Sequence, residues 1–143
     1  MKALKISILC LLIASFATPA LAGGWGLGAS LFDWDYFGVQ GRKTFVLGGD
    51  ISQITTAATF YFDNTWMAFD ADYHFVINPQ NPSRFYPLVG VELSTDFSDF
   101  TEFGVNLGGG VDFMLTETLA AYAEAKFVIS DLDGFVLGAG VKF

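Results

Sequence analysis

The chain has 143 residues, of which 52% are hydrophobic, 17% aromatic and only 15% charged, and its formal net charge is −8. This length suits a single domain, and the apolar composition excludes a disordered chain. A nucleic-acid partner is also excluded, because a phosphate-binding surface needs clustered Lys and Arg rather than an excess of acids.

The first 22 residues have the pattern of a cleaved secretory signal peptide. Lysines at positions 2 and 5 precede an apolar stretch over residues 6–16, and Ala20-Leu21-Ala22 offers small residues at a cleavage site. We expect cleavage there, which leaves residues 23–143 as the mature domain. An uncleaved membrane anchor is the alternative, although the Pro and Gly residues that follow the apolar stretch disfavour a long helix.

The mature chain would keep all 15 acids but only five bases, so its net charge would be −10. It would contain no cysteine, because Cys10 lies in the apolar stretch; lipoprotein processing at Cys10 is a further alternative. The longest uncharged mature stretch is residues 51–62, whereas a helical span needs roughly 20 residues. In a membrane the chain must therefore form a closed barrel, since only helices and closed barrels satisfy their backbone hydrogen bonds in lipid.

Alternation of apolar and polar residues with period two predicts eight strands. They cover residues 24–32, 45–52, 55–62, 66–75, 85–94, 103–113, 119–127 and 135–143. One face of each strand can be chosen so that it carries no charge. The sequence therefore predicts an all-β fold, an eight-stranded antiparallel up-and-down transmembrane β-barrel, with residues 33–44 as its longest outer loop.

Aromatic residues mark the ends of the predicted strands. If the first strand runs outward from the periplasm, Trp25, Phe75, Phe85, Phe113 and Phe143 fall at periplasmic ends. The outer ends would carry Phe32, Phe45, Phe62, Trp66, Phe103, Phe127 and Phe135. Two aromatic girdles are typical of membrane barrels. A soluble periplasmic or secreted barrel that binds an apolar ligand also alternates, and it is the alternative.

Several segments together resemble the small eight-stranded outer-membrane barrels of the OmpA/OmpX-like porin family. They are the signal peptide, FYPLVGVEL (85–93), FGVNLGGGVDFMLTETLAAYAEAKF (103–127) and FVLGAGVKF (135–143). The resemblance implies a monomeric, structural envelope protein in the outer membrane of a Gram-negative bacterium, in contact with membrane lipids and lipopolysaccharide. It also implies that Phe143 forms part of the signal that the outer-membrane assembly machinery reads.

The inward faces of the predicted strands collect nearly all the strand charges. These residues are Asp50, Asp70, Asp72, His74, Glu92, Asp112, Glu124, Lys126 and Lys142. Because eight strands enclose space only just wide enough for side chains, we predict a polar plug rather than a wide pore. A water-containing interior that favours cations is the alternative.

Neither a metal site nor a catalytic site is predicted, and no cofactor is expected. Asp70, Asp72 and His74 share one strand face, but same-face neighbours are nearly 7 Å apart, so a cation would need ligands from other strands. The barrel lipid A deacylases use a Ser, a His and an acid. Here His74 is the only His, at the predicted periplasmic end, and no Ser lies two residues from it.

The predicted outer loop over residues 33–44 combines an aromatic residue with cations. Trp34, Arg42 and Lys43 could together contact a lipopolysaccharide headgroup, with the two cations binding its phosphates. A loop tip that merely lies at the membrane interface is the alternative.

Overall fold

The computed structural model describes residues 24–131 and 133–143, so the predicted signal peptide lies outside the described residues. The described chain forms eight strands. They are β1 (Trp25–Phe32), β2 (Tyr36–Gly48), β3 (Ser52–Tyr61), β4 (Trp66–Phe75), β5 (Ser83–Thr95), β6 (Thr101–Met114), β7 (Ala120–Ile129) and β8 (Gly134–Lys142). In this part of the chain, no helix has the length and apolar character to cross a membrane.

Each strand pairs antiparallel with the next, and β1 also pairs with β8, which closes the barrel. The predicted all-β, eight-stranded antiparallel up-and-down barrel is confirmed. At one end, which we call the terminal end, Trp25 N donates to Phe143 O (3.1 Å) and Phe143 N to Trp25 O (2.7 Å). The other end, which we call the far end, carries the turns at residues 33–35, 62–65, 96–100 and 130–133.

The second strand differs most from its predicted position. β2 begins at Tyr36, so the predicted loop over residues 33–44 is wrong, and the turn that follows β2 includes Asp50. Arg42 and the glycines of β2 gave this segment the composition of a loop. In the barrel they alternate as a strand does, with Gln40 and Arg42 buried on the inward face. Phe45 consequently lies towards the terminal end and not at an outer end.

The barrel has an apolar outside and a charged inside. Large apolar side chains at outward positions are exposed, among them Leu27, Val39, Val89, Val105, Leu107, Phe127, Ile129 and Val141. Charged side chains at inward positions are buried, namely Arg42, Asp70, Asp72, Glu92, Asp112, Glu124, Lys126 and Lys142. This arrangement is the reverse of that in a water-soluble protein.

Two apolar clusters lie inside the barrel, one near each end. The far-end cluster consists of Phe32, Tyr61, Trp66, Ala68, Val128 and Val136, and the terminal-end cluster of Val76, Tyr86 and Leu88. Within the far-end cluster, Tyr61 and Trp66 stack with ring centroids 4.1 Å apart. Phe32 and Trp66 are therefore interior residues, and their predicted place in an outer girdle is wrong. A Cβ at Gly134 would overlap the Phe32 ring, so glycine is required there.

Candidate functional site

The barrel interior is centred on a buried ion pair between β2 and β7. The Arg42 guanidinium donates to both Glu124 carboxylate oxygens, from Nη1 to Oε2 and from Nη2 to Oε1, each over 2.7 Å. Tyr86 Oη also donates to Glu124 Oε2 over 2.7 Å. The Tyr122 ring covers the guanidinium, whose Cζ lies 3.9 Å from the ring centroid. The pair thus has the two-pronged geometry that makes Arg–carboxylate contacts strong.

Gln40 fixes the guanidinium from its other side. Its Oε1 accepts hydrogen bonds from Arg42 Nε and Tyr122 Oη, both over 3.1 Å. Its Nε2 donates to Thr59 Oγ1 over 2.9 Å. Three adjoining elements, β1, β2 and β3, therefore hold Arg42 in place through their paired backbones and these side chains.

A second charged group surrounds Lys126 on β7. Lys126 Nζ contacts Asp70 Oδ1 at 2.6 Å and Asp72 Oδ2 at 3.1 Å. Asn106 Nδ2 donates to Asp70 Oδ1 over 2.9 Å and to Asp72 Oδ1 over 2.7 Å. One cation and one amide therefore bridge two carboxylates that lie on the same strand face.

The remaining interior acids lie above and below this group. Glu92 is opposite Asp70 in the register of β4 and β5, and its Oε1 accepts a 2.8 Å hydrogen bond from Ser94 Oγ. Lys142 Nζ contacts Asp112 Oδ2 at 2.6 Å, where both side chains are only 11% exposed. The interior is thus filled by three ion-paired groups, each contributed by different strands.

His74 is fully buried within this network. Its ring stacks on that of Tyr86, with centroids 4.3 Å apart, and its Nε2 lies 3.8 Å from Glu124 Oε2. Neither ring nitrogen has a hydrogen-bond partner among the described residues. The same part of the chain has no group of three or more His, Cys, Asp or Glu side chains that could hold a metal ion. An incoming substrate has no route to a side chain with zero exposure.

The structure brings together all the predicted interior residues except one. Asp50 is exposed in the turn after β2, so its predicted inward position is wrong. Sequence reasoning missed Arg42, whose signal was present: it alternates with Gln40 and would reduce the excess of inward acids. Tyr86 also contributes to the network, and its inward phase on β5 was evident from the alternation.

The three residues of the predicted headgroup site do not lie together. Trp34 is 69% exposed in the first far-end turn. Arg42 is bound to Glu124 in the interior, so its predicted contact with a headgroup is wrong. Lys43 is opposite Trp25 on the outward face near the terminal end, with its Nζ 4.9 Å from the Trp25 ring centroid.

The far-end turns carry acids instead of bases. Their acids are Asp33, Asp35, Asp63, Asp96, Asp99, Asp131 and Asp133, and the described residues of these turns include no Lys or Arg. Within the described chain, the far end therefore offers aromatic side chains but no cation in its turns for a phosphate group.

Comparisons with known proteins match structures rather than sequences. No family model and no curated protein sequence matches the chain. The N-terminal β-barrel domain of Pseudomonas aeruginosa OprF is similar with a TM-score of 0.67 and 17% identity, over 85% of this chain and 98% of that one. Yersinia pestis outer membrane protein Ail matches with a TM-score of 0.54 and 14% identity, over 85% and 100% of the chains.

A third similar structure is described as the outer membrane enzyme PagL. It matches with a TM-score of 0.52 and 10% identity, over 85% of this chain and 97% of that chain. Identities this low establish a common fold and no common activity. The expected resemblance is confirmed at this level: the chain has the closed eight-stranded antiparallel barrel fold of small outer-membrane proteins.

Proposed function

We propose that this protein is a structural, non-catalytic β-barrel of the Gram-negative outer membrane, exported by a signal peptide and filled by an ion-paired polar plug. The observation that carries the proposal is the inverted polarity of the barrel. Outward Leu107 and Phe127 are 55% and 60% exposed, whereas inward Lys126 and Glu124 are buried. A continuous apolar surface of this kind in water would promote aggregation.

Lipid removes that difficulty. Apolar outward side chains belong in hydrocarbon, and the closed ladder leaves no strand edge unsatisfied there. A soluble periplasmic barrel that binds an apolar ligand needs the opposite arrangement, with an apolar interior. The interior here holds eight charged side chains, and only the two clusters near its ends are apolar.

The packing of the interior favours a plug over a pore. Arg42, Lys126 and Lys142 each contact carboxylates from another strand, which places charged contacts across the lumen. The far-end aromatic cluster covers this network from one side and the Val76 cluster from the other. Ions would have to displace both apolar clusters and separate buried ion pairs, so we infer that the resting barrel does not conduct.

The proposed partners follow from this placement. Outer-membrane lipids, including lipopolysaccharide, surround the barrel, which acts as a monomer. The terminal end faces the periplasm, and the far end faces outward. Phe143, which is 53% exposed at the end of β8, is the residue through which the assembly machinery recognises the chain. Trp34 lies at the outer interface.

Fractionation tests the proposal. The full chain is expressed in a Gram-negative host, and membranes are extracted with alkali and then with detergent. We expect the protein in the detergent-soluble outer-membrane fraction, with a folded band of altered mobility in unboiled gels that is lost on boiling. Planar bilayers containing the purified barrel should show no steady current. A monomer that folds and stays soluble without detergent would refute the membrane placement.

A lipid-hydrolysing activity would refute the non-catalytic role. The chain is therefore assayed for deacylation of lipid A beside its His74→Ala variant. We expect no product from either protein, because His74 is buried and its ring nitrogens have no described hydrogen-bond partner.

A further inference from the structure

The outer surface of β7, β8 and β1 contains a groove that interrupts the otherwise convex barrel wall. It encloses about 410 Å³. Its outward lining residues are Ala29, Leu31, Phe37, Ala123, Leu137 and Ala139. Every one of these side chains is apolar.

The strand register explains why a groove forms there. Ala123, Ala139 and Ala29 are directly opposite one another on β7, β8 and β1, which makes a row of three small side chains. The next outward row towards the far end contains Leu137 and Leu31. Small side chains thus form a floor beside a wall of larger ones.

Phe37 completes that wall and is held firmly. It is opposite Leu31 in the register of β1 and β2, and it stacks on Phe62 with ring centroids 6.1 Å apart and planes 13° apart. The groove therefore has a rigid border on its far-end side, which a flat surface of alanines would lack.

The height of the groove identifies its surroundings. Ala29 and Ala139 lie in the middle of their strands, whereas Leu31 and Phe37 lie within one residue of the far-end limits of β1 and β2. In the orientation of the proposed function, on which this inference rests, the groove lies in the outer half of the membrane. The outer leaflet there consists of lipopolysaccharide, whose anchor is lipid A.

We propose that this groove binds one acyl chain of lipid A. A flexible chain can follow a concave apolar channel that is continuous with the lipid-facing surface, whereas a second convex barrel would touch only its rim. The far-end turns hold acids and no described cation, so recognition through the chain, rather than through the phosphates, suits this surface. The binding energy would come from apolar burial in the groove.

Filling the groove tests the proposal. Ala139→Leu places a larger side chain on its floor, and Ala123→Leu is a second variant at the same level. The control is Ala71→Leu, the same change at an outward position on β4, away from the groove. Each protein is folded into phosphatidylethanolamine vesicles containing lipid A, extracted in mild detergent and examined by native mass spectrometry. Unboiled gels check that every variant is folded.

We expect wild type and Ala71→Leu to retain one lipid A per barrel. The two groove variants should retain about tenfold less, because an added leucine displaces several methylene contacts. Chain-to-methyl nuclear Overhauser effects should be strong at Leu31 and Leu137 and weak at Val105, and they should fall in Ala139→Leu.

Equal retention by all four proteins, retention of phosphatidylethanolamine instead of lipid A, or a folded wild-type barrel that retains no lipid would overturn the proposal. A wild-type chain that fails to insert into the vesicles at all would refute the proposed membrane function as well. The two failures are therefore distinguishable.

Discussion

Removal of the carboxylate from the central ion pair should destabilise the barrel strongly. In Glu124→Gln the side-chain shape is kept, but Arg42 loses an acceptor for one of two 2.7 Å contacts and all of the opposing charge. Both residues are buried, so water cannot replace the lost partner. Loss of one member of a buried ion pair costs about 3–5 kcal/mol, and we expect the free energy of unfolding to fall by that amount.

A comparison within the barrel separates this effect from a general intolerance of substitution. Asp112→Asn breaks the contact with Lys142, which is single rather than two-pronged and lies nearer the terminal end. We expect it to cost less than half as much as Glu124→Gln. The double variant Arg42→Met/Glu124→Met should recover most of the loss, because apolar side chains of similar volume often replace a buried pair at little cost.

Urea titration of the barrels in phospholipid vesicles supplies the measurement. The folded fraction is read from the mobility shift in unboiled gels and from the fluorescence of the three tryptophans. The reasoning is wrong if Glu124→Gln lowers the free energy of unfolding by less than about 1 kcal/mol, the value of an exposed pair. It is also wrong if Asp112→Asn and Glu124→Gln are equally costly.

Three further outcomes are expected. Leu107→Arg should lower vesicle-bound stability by about 2–4 kcal/mol relative to Leu107→Phe, because a lipid-facing cation near mid-membrane is costly; equal urea midpoints would contradict this. Gly134→Val should cost about 1–3 kcal/mol by overlap with the far-end cluster, measured in the same titration. The pKa of Asp96 lies below its ordinary value because the backbone N–H groups of Ser98 and Phe100 donate to its carboxylate. The order of this turn is therefore present at neutral pH and is lost as the pH falls through that lowered pKa, which amide exchange at Ser98 and Phe100 should record.

The strand pattern was predictable wherever the two faces differ in chemistry. Residues 66–75 alternate between apolar side chains and the group that contains Asp70, Asp72 and His74, and β4 has those limits in the structure. β2 was misplaced because its inward face mixes Gly38, Gln40 and Arg42. Such a mixture has the composition of a loop, although its period is that of a strand.

The contents of the site were predictable, but its pairing was not. Alternation places Glu124 and Lys126 inside, yet it does not say which carboxylate or cation each one meets. Arg42 and Glu124 are 82 positions apart, and β1 and β8 lie between their strands. Their contact depends on barrel closure and on the stagger of the strands, which a period of two residues leaves open.

The position of an aromatic residue along a strand also gave less information than its face. Trp66 begins β4 at the far end, as a girdle residue would, but it has the same phase as Asp70 and therefore points inward. There it stacks on Tyr61 and covers the polar network. Phase should therefore take precedence over position when aromatic residues at strand ends are assigned to a membrane interface.

The location of the central ion pair indicates what it adds beyond packing. The seam between β1 and β8 joins the two ends of the chain and is the last pairing that closes the barrel. Arg42 on β2 and Glu124 on β7 flank that seam on its two sides, so their contact forms only when the seam has the correct register. A shift of β8 by two residues would keep the apolar face outward but would separate a buried cation from its carboxylate. Outward alternation therefore selects the face of each strand, while the interior charges select the register in which the barrel closes.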